Sequence, residues 1–124
     1  MELRDELLSE MVLLRERNPD VDGSIACTVD GLTIASDLDG EAFEQVAALS
    51  AAVLAMSSRM MTLAGRGFLE ETLMSGTAGF AAFYAAGPTI VLTVLAEPGT
   101  NLGLLRLEGR KTAASVAAIA ARRQ

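Results

Sequence analysis

A chain of 124 residues that is 51% hydrophobic and 21% charged has enough apolar material for one packed core, which excludes a disordered segment. Its net charge of −6 excludes the basic footprint that nucleic acid or an anionic lipid surface demands, but suits a protein partner with a basic patch. The single cysteine, Cys27, excludes an internal disulfide, and the absence of histidine removes the commonest general base and metal ligand.

Residues 2–17 repeat apolar positions at Leu3, Leu7, Met11 and Leu14 among charged neighbours, which predicts an amphipathic helix. Asn18-Pro19 ends it, because proline disfavours helical geometry in the residue before it. Residues 24–29 and 32–37 are short strand-like runs separated by Asp30-Gly31, a hairpin signal of the type I′ kind, with positive φ at both turn positions. Residues 41–64 then form a long helix without glycine or proline, with Asp39 as its cap, Glu41 and Glu44 at its positive end and Gly65 closing it.

Residues 68–75, 80–85 and 89–96 read as three more strands with short loops suited to antiparallel neighbours. The last of these is apolar at nearly every position, as in a central strand covered on both faces, while Glu70, Glu71 and Thr72 mark the first as an edge. A closing helix over 101–122 carries Leu102, Leu105, Ala113, Val116 and Ala120 on one side. The order is α-β-β-α-β-β-β-α: one α+β domain over residues 1–124, with a five-stranded antiparallel sheet covered by helices on both faces.

The helix at 41–64 has more apolar surface than one small domain needs. One seam reads Val46, Leu49, Val53, Met56, Met60 and Leu63, and is expected to face the sheet. The second reads Phe43, Ala47, Ser50, Leu54, Ser57 and Met61, and is expected to pair with a second copy of the chain, together with Glu70 and Thr72 on the edge strand. The remaining arc, Ala48, Ala51, Ala55 and Arg59, is the candidate surface for a third partner. The longest uncharged stretch, 45–58, has 14 residues, short of the roughly 20 that span a bilayer, and the charged N-terminus lacks a signal peptide's apolar core. A cytoplasmic protein without direct membrane insertion is expected.

Catalysis has little to stand on. Cys27 lies mid-strand between Ile25 and Val29, the setting of a buried small hydrophobe and not of a nucleophile. Asp37 and Asp39 lack the further oxygen ligands of a calcium loop. Glu70 and Glu71, adjacent on a strand, are expected to face opposite ways. Gly65-Arg-Gly67 follows a helix where a dinucleotide fingerprint follows a strand, and Gly109-Arg-Lys111-Thr112 lacks the upstream glycine of a phosphate loop. Neither a cofactor nor a metal is expected.

Three stretches carry a resemblance across nearly the whole chain: VDGSIACTVDGLTIASDL, the Ala/Ser-rich central helix, and TIVLTVLAEPGTNLGLLRLEGRK. Together they resemble the roadblock / dynein light chain 7 family, in particular its actinobacterial-type members. The resemblance implies a profilin-like sandwich, with the central helix on one face of the sheet and the terminal helices on the other. It implies dimers formed through the central helix and the edge strand after it, and a non-enzymatic role as an adaptor or regulator of small Ras-like GTPases. Actinobacterial members are associated with a GTPase and a sensor-kinase-like membrane protein. The alternative reading is a small-molecule-sensing domain of profilin- or PAS-like fold, which requires a pocket with a few polar groups among apolar walls.

Overall fold

A computed structural model describes residues 1–38, 40 and 42–123. Its elements are α1 (Leu3–Arg17), β1 (Val21–Thr28), β2 (Thr33–Ser36), α2 (Phe43–Leu63), β3 (Thr72–Gly76), β4 (Gly79–Ala86), β5 (Ile90–Ala96) and α3 (Leu102–Arg122). The strands form one antiparallel sheet in the order β2-β1-β5-β4-β3, with the apolar run β5 in the middle and β3 at an edge. The expected α+β sandwich is therefore the observed one.

The two faces carry separate cores. Leu7, Met11 and Leu14 of α1 and Leu105, Val116 and Ile119 of α3 pack with Ala26, Tyr84, Leu92 and Val94 on one face. Ala47 and Leu54 of α2 pack with Ile25, Cys27, Phe83 and Val91 on the other. The strands alternate between these cores as the two-residue period of β structure requires. Leu102, expected in the buried stripe of α3, is exposed at its first turn. Gly109 and Thr112 are buried in its place, because α3 lies against Tyr84, whose ring occupies the space a side chain at 109 would fill.

Local chemistry explains the boundaries. Asn18 closes α1, its side-chain amide donating to the Leu14 carbonyl at 2.8 Å. The Asn101 side chain caps α3 by accepting from the Leu104 N–H. After α2, the N–H groups of Gly65 and Arg66 donate to the carbonyls of Thr62 and Met61, and Gly65 has a φ of 68°. That is a Schellman ending, as expected of Gly65. Asp39 and Glu41, the expected cap and first-turn acid of α2, lie outside the described residues; Glu44 does sit in the first turn.

The β1–β2 connection differs from the type I′ expectation. Gly31 has a φ of 88°, but no described residue other than glycine has positive φ. The connection runs over residues 29–32, between strand ends at Thr28 and Thr33. Gly31 matters for space as well as for φ, since a Cβ there would come within 3.0 Å of the Ala48 Cα on α2.

Among the described residues, α2 is the one helix long and apolar enough to cross a membrane by length and composition, a test that the core helix of a globular domain also passes. One side of it is packed on the sheet.

Candidate interaction surface

The structure exchanges the expected roles of the two α2 seams. Ala47, Ser50 and Leu54 are buried against the protein's own sheet, with Phe43, Ser57 and Met61 half-buried along the same side. Ala47, Ser50 and Leu54 therefore cannot be part of an outward dimer face. Leu49, Met56, Met60 and Leu63, expected on the sheet, are 66–76% exposed, while Val46 and Val53 are half-buried at the margin of the core.

The reason is steric. The sheet supplies the bulk on this side through Ile25, Phe83 and Val91, so the helix approaches with small residues and fills the gap with Leu54. Ser50 satisfies its hydroxyl within the helix by donating to the Val46 carbonyl at 2.6 Å, so it can be buried. The large side chains are left on the outside.

Of the small-residue arc, Ala48, Ala55 and Arg59 are exposed as expected, but Ala51 is buried. Ala51 and Ala55 line a crevice of about 270 Å³ with Leu54, Val29 and Pro88. Nearby, Val29 and Leu32 stand exposed on the β1–β2 connection.

Among the described residues β3 has one hydrogen-bonded neighbour, β4, and its other edge is unpaired. Leu73 and Met74 are exposed on it, and Phe68, in the connector from α2, is 98% exposed. An open apolar edge of this kind is a template for another strand. Thr72 is half-buried at its start, its hydroxyl without a hydrogen-bond partner among the described residues.

Glu70 and Glu71 precede the strand instead of lying on it, so strand alternation does not separate them. Both reach Arg110 of α3. Glu70 accepts from it at 2.9 Å, and Glu71 accepts from both Arg110 and Arg106, the latter at 2.6 Å. The Arg106 hydrogen bond, and then that of Arg110, hold the Glu71 carboxyl below its ordinary range against an opposing effect of burial. This cluster ties the start of the edge strand to the helix on the opposite face. Its two arginines were not among the site residues expected from sequence, because 35 and 39 residues separate them from Glu71.

The other candidates resolve into structural roles. Cys27 is fully buried, its thiol donating to the Ala47 carbonyl at 3.5 Å, and burial pushes its pKa up to about 11. Asp37 accepts from Arg15 at 2.8 Å. Gly109 and Thr112 are buried within α3, and Gly65 ends α2. Among the described residues, no group of three His, Cys, Asp or Glu side chains is placed to hold a metal ion.

Comparison with known proteins agrees with this geometry. The chain is 32% identical over 114 residues to the uncharacterised protein MJ1340 of Methanocaldococcus jannaschii, covering 91% of this chain and 99% of that one. Its fold is similar to that of the gliding protein MglB from Thermus thermophilus, with a TM-score of 0.88, 16% identity, and 98% and 93% of the two chains covered. It is also similar to profilin IA of Acanthamoeba castellanii, with a TM-score of 0.62, 10% identity, and 94% and 98% covered. The solved structures establish a profilin-like fold. Residues 7–96, from the buried side of α1 to the end of β5, match the Roadblock/LC7 domain model. Taken with the sandwich and its half-exposed central helix, that match means the chain belongs to the Roadblock/LC7 domain family.

Proposed function

We propose that the protein is a non-enzymatic homodimeric adaptor that binds and regulates a small Ras-like GTPase. The observation that carries this reading is the outward stripe Leu49–Met56–Met60–Leu63 on α2, together with the unpaired edge of β3. Large exposed apolar side chains in a row are costly on a lone protein and normal on an interface. A second copy related by a twofold axis satisfies both features, joining the sheets edge to edge and the helices side to side.

Pairing by that route leaves the other flank of α2 free. Ala48, Ala55 and Arg59, with Val29 and Leu32 of the hairpin, form the surface on which the GTPase docks. Membership of the Roadblock/LC7 family supports the GTPase as partner, and the same resemblance supports a place beside a sensor-kinase-like membrane protein, in the cytoplasm. The test is retention of a Ras-like GTPase, loaded with GTP or GDP, on the immobilised dimer. Nucleotide-dependent retention that is lost in Arg59→Glu supports the reading; no retention in either state contradicts it.

A further inference from the structure

The connector between α2 and β3 presents an exposed anchor, Phe68, at the rim of an open hollow that it lines with Arg66, Met61, Glu71, Arg106 and Arg110. Arg66, whose N–H is held by α2, is flanked by glycines with positive φ at 65 and 67, and Phe68 projects into solvent. A large aromatic side chain exposed to this degree has much apolar area to bury on entering a partner's pocket. Arg66 has no ion-pair partner among the described residues.

An open hollow of about 610 Å³ lies beside the β3–β4 turn. Its floor includes Met74, Ala81 and Leu95, which are cross-strand neighbours; Ala81 belongs to the α2-side core, so the floor is on the face that α2 occupies. Asp22 is on the hollow's lining. Asp22, Asp20 and Glu97 crowd together there, so that hydrogen bonding and repulsion from Asp22 raise the proton affinity of Glu97, and none of the three is in a salt bridge among the described residues. The hollow is thus apolar at its base and has uncompensated negative charge at its margin.

Strand polarity brings anchor and hollow together. β3 runs from Thr72, opposite Phe83, to Gly76, opposite Gly79 at the β3–β4 turn. Two copies of β3 paired antiparallel about Met74 place Thr72 of one beside Gly76 of the other. The twofold axis stands perpendicular to the joined sheet and leaves both α2 helices on the same face. Phe68, four residues before Thr72 and within ~13 Å of it at ~3.3 Å per residue, is then within reach of the turn of the other copy, at the sheet edge where it stands between Met61 of α2 and Arg106 and Arg110 of α3.

We infer that, in the dimer proposed above, Phe68 of each copy seats in the hollow beside the β3–β4 turn of the other, with Arg66 set against Asp22 and Glu97. The contact is self-complementary and formed twice. It rests on the reading that β3 pairs with β3.

The experiment measures the dimer dissociation constant by sedimentation and adds a cross-link. Phe68→Ala raises the constant by about thirty-fold or more, as for a buried aromatic hot spot. Its circular dichroism is unchanged, since Phe68 touches little of its own chain. Arg66→Asp and Asp22→Arg each weaken the dimer, and a chain carrying both recovers affinity. Copies bearing Phe68→Cys mixed with copies bearing Ala78→Cys form a disulfide that Phe68→Cys alone does not; Cys27 is buried and stays out of the reaction. An unchanged constant in Phe68→Ala, or no cross-link in the mixture, with a dimeric wild type overturns this contact and leaves β3 pairing standing. A wild type that is monomeric at every concentration overturns both.

Discussion

Gly109 of α3 lies directly over Tyr84 of β4: a Cβ at 109 would come within 2.5 Å of the Tyr84 ring and hydroxyl. The tyrosine is fully buried, its hydroxyl 3.5 Å from the Leu105 carbonyl, so it has little room to retreat. Burial also pushes its phenol up to about 12, so it stays neutral at any ordinary pH. The glycine that looked like the end of a phosphate loop is a packing device.

Gly109→Ala is therefore expected to destabilise the protein even though alanine is the better helix former. Overpacking costs about 1–3 kcal/mol, against a helix gain of about 1 kcal/mol. Gly103→Ala, whose Cβ would meet only the Asn101 side-chain oxygen at 3.4 Å, is expected to be neutral or stabilising. Urea denaturation of the two variants checks the contrast.

The exchange of seams on α2 predicts opposite behaviour for neighbouring residues. Leu54→Ala removes a buried side chain from the α2-side core and costs about 2–4 kcal/mol of folding stability. Leu49→Ser, on the outward side, changes monomer stability by less than about 0.5 kcal/mol but weakens self-association. Thermal melts paired with size-exclusion chromatography separate the two effects.

Glu71 makes a pH-dependent contribution whose sign is fixed. Its folded pKa lies below the ordinary 4.5, because Arg106 and then Arg110 hold the charged form. The stabilisation is fully present above the unfolded value and is lost as pH falls through the depressed folded value. Wild type is expected to exceed Glu71→Gln in stability at pH 7, with the gap closing steadily below about pH 4.5. Denaturant midpoints measured from pH 7 down to pH 3 test this, and a gap that widens on acidification contradicts it.

Cys27 is predicted to react slowly. Its thiol is buried and held largely protonated by a pKa of about 11, so alkylation in the native state should lag that in urea by orders of magnitude. Stopped-flow or manual thiol titration with and without denaturant measures the ratio.

Much of the architecture was legible because its signals are local. Asn18-Pro19, Asn101 and Gly65 mark helix ends through backbone chemistry, and the unbroken apolar run of β5 marks a strand covered twice. The two α2 seams were not assignable, because both are apolar and the choice depends on what the sheet presents. Ile25, Phe83 and Val91 fill the interlayer space from the sheet side, which selects Ala47 and Ser50 over Leu49 and Met56. Glu70 and Glu71 were misplaced for a related reason. β3 begins at Thr72, so residues that alternate on paper converge on Arg110.

The most direct measurement is sedimentation equilibrium of wild type and Met56→Asp at matched concentrations. Wild type at tens of micromolar is expected to sediment at twice the 13.0 kDa chain mass. Met56→Asp is expected at the single mass with an unchanged far-ultraviolet circular dichroism spectrum, since Met56 lies in the exposed stripe. Its melting temperature falls by the stabilisation that pairing lends the wild type. A wild type that stays at the single mass, or a Met56→Asp variant that pairs as tightly as wild type, contradicts the assignment of this face.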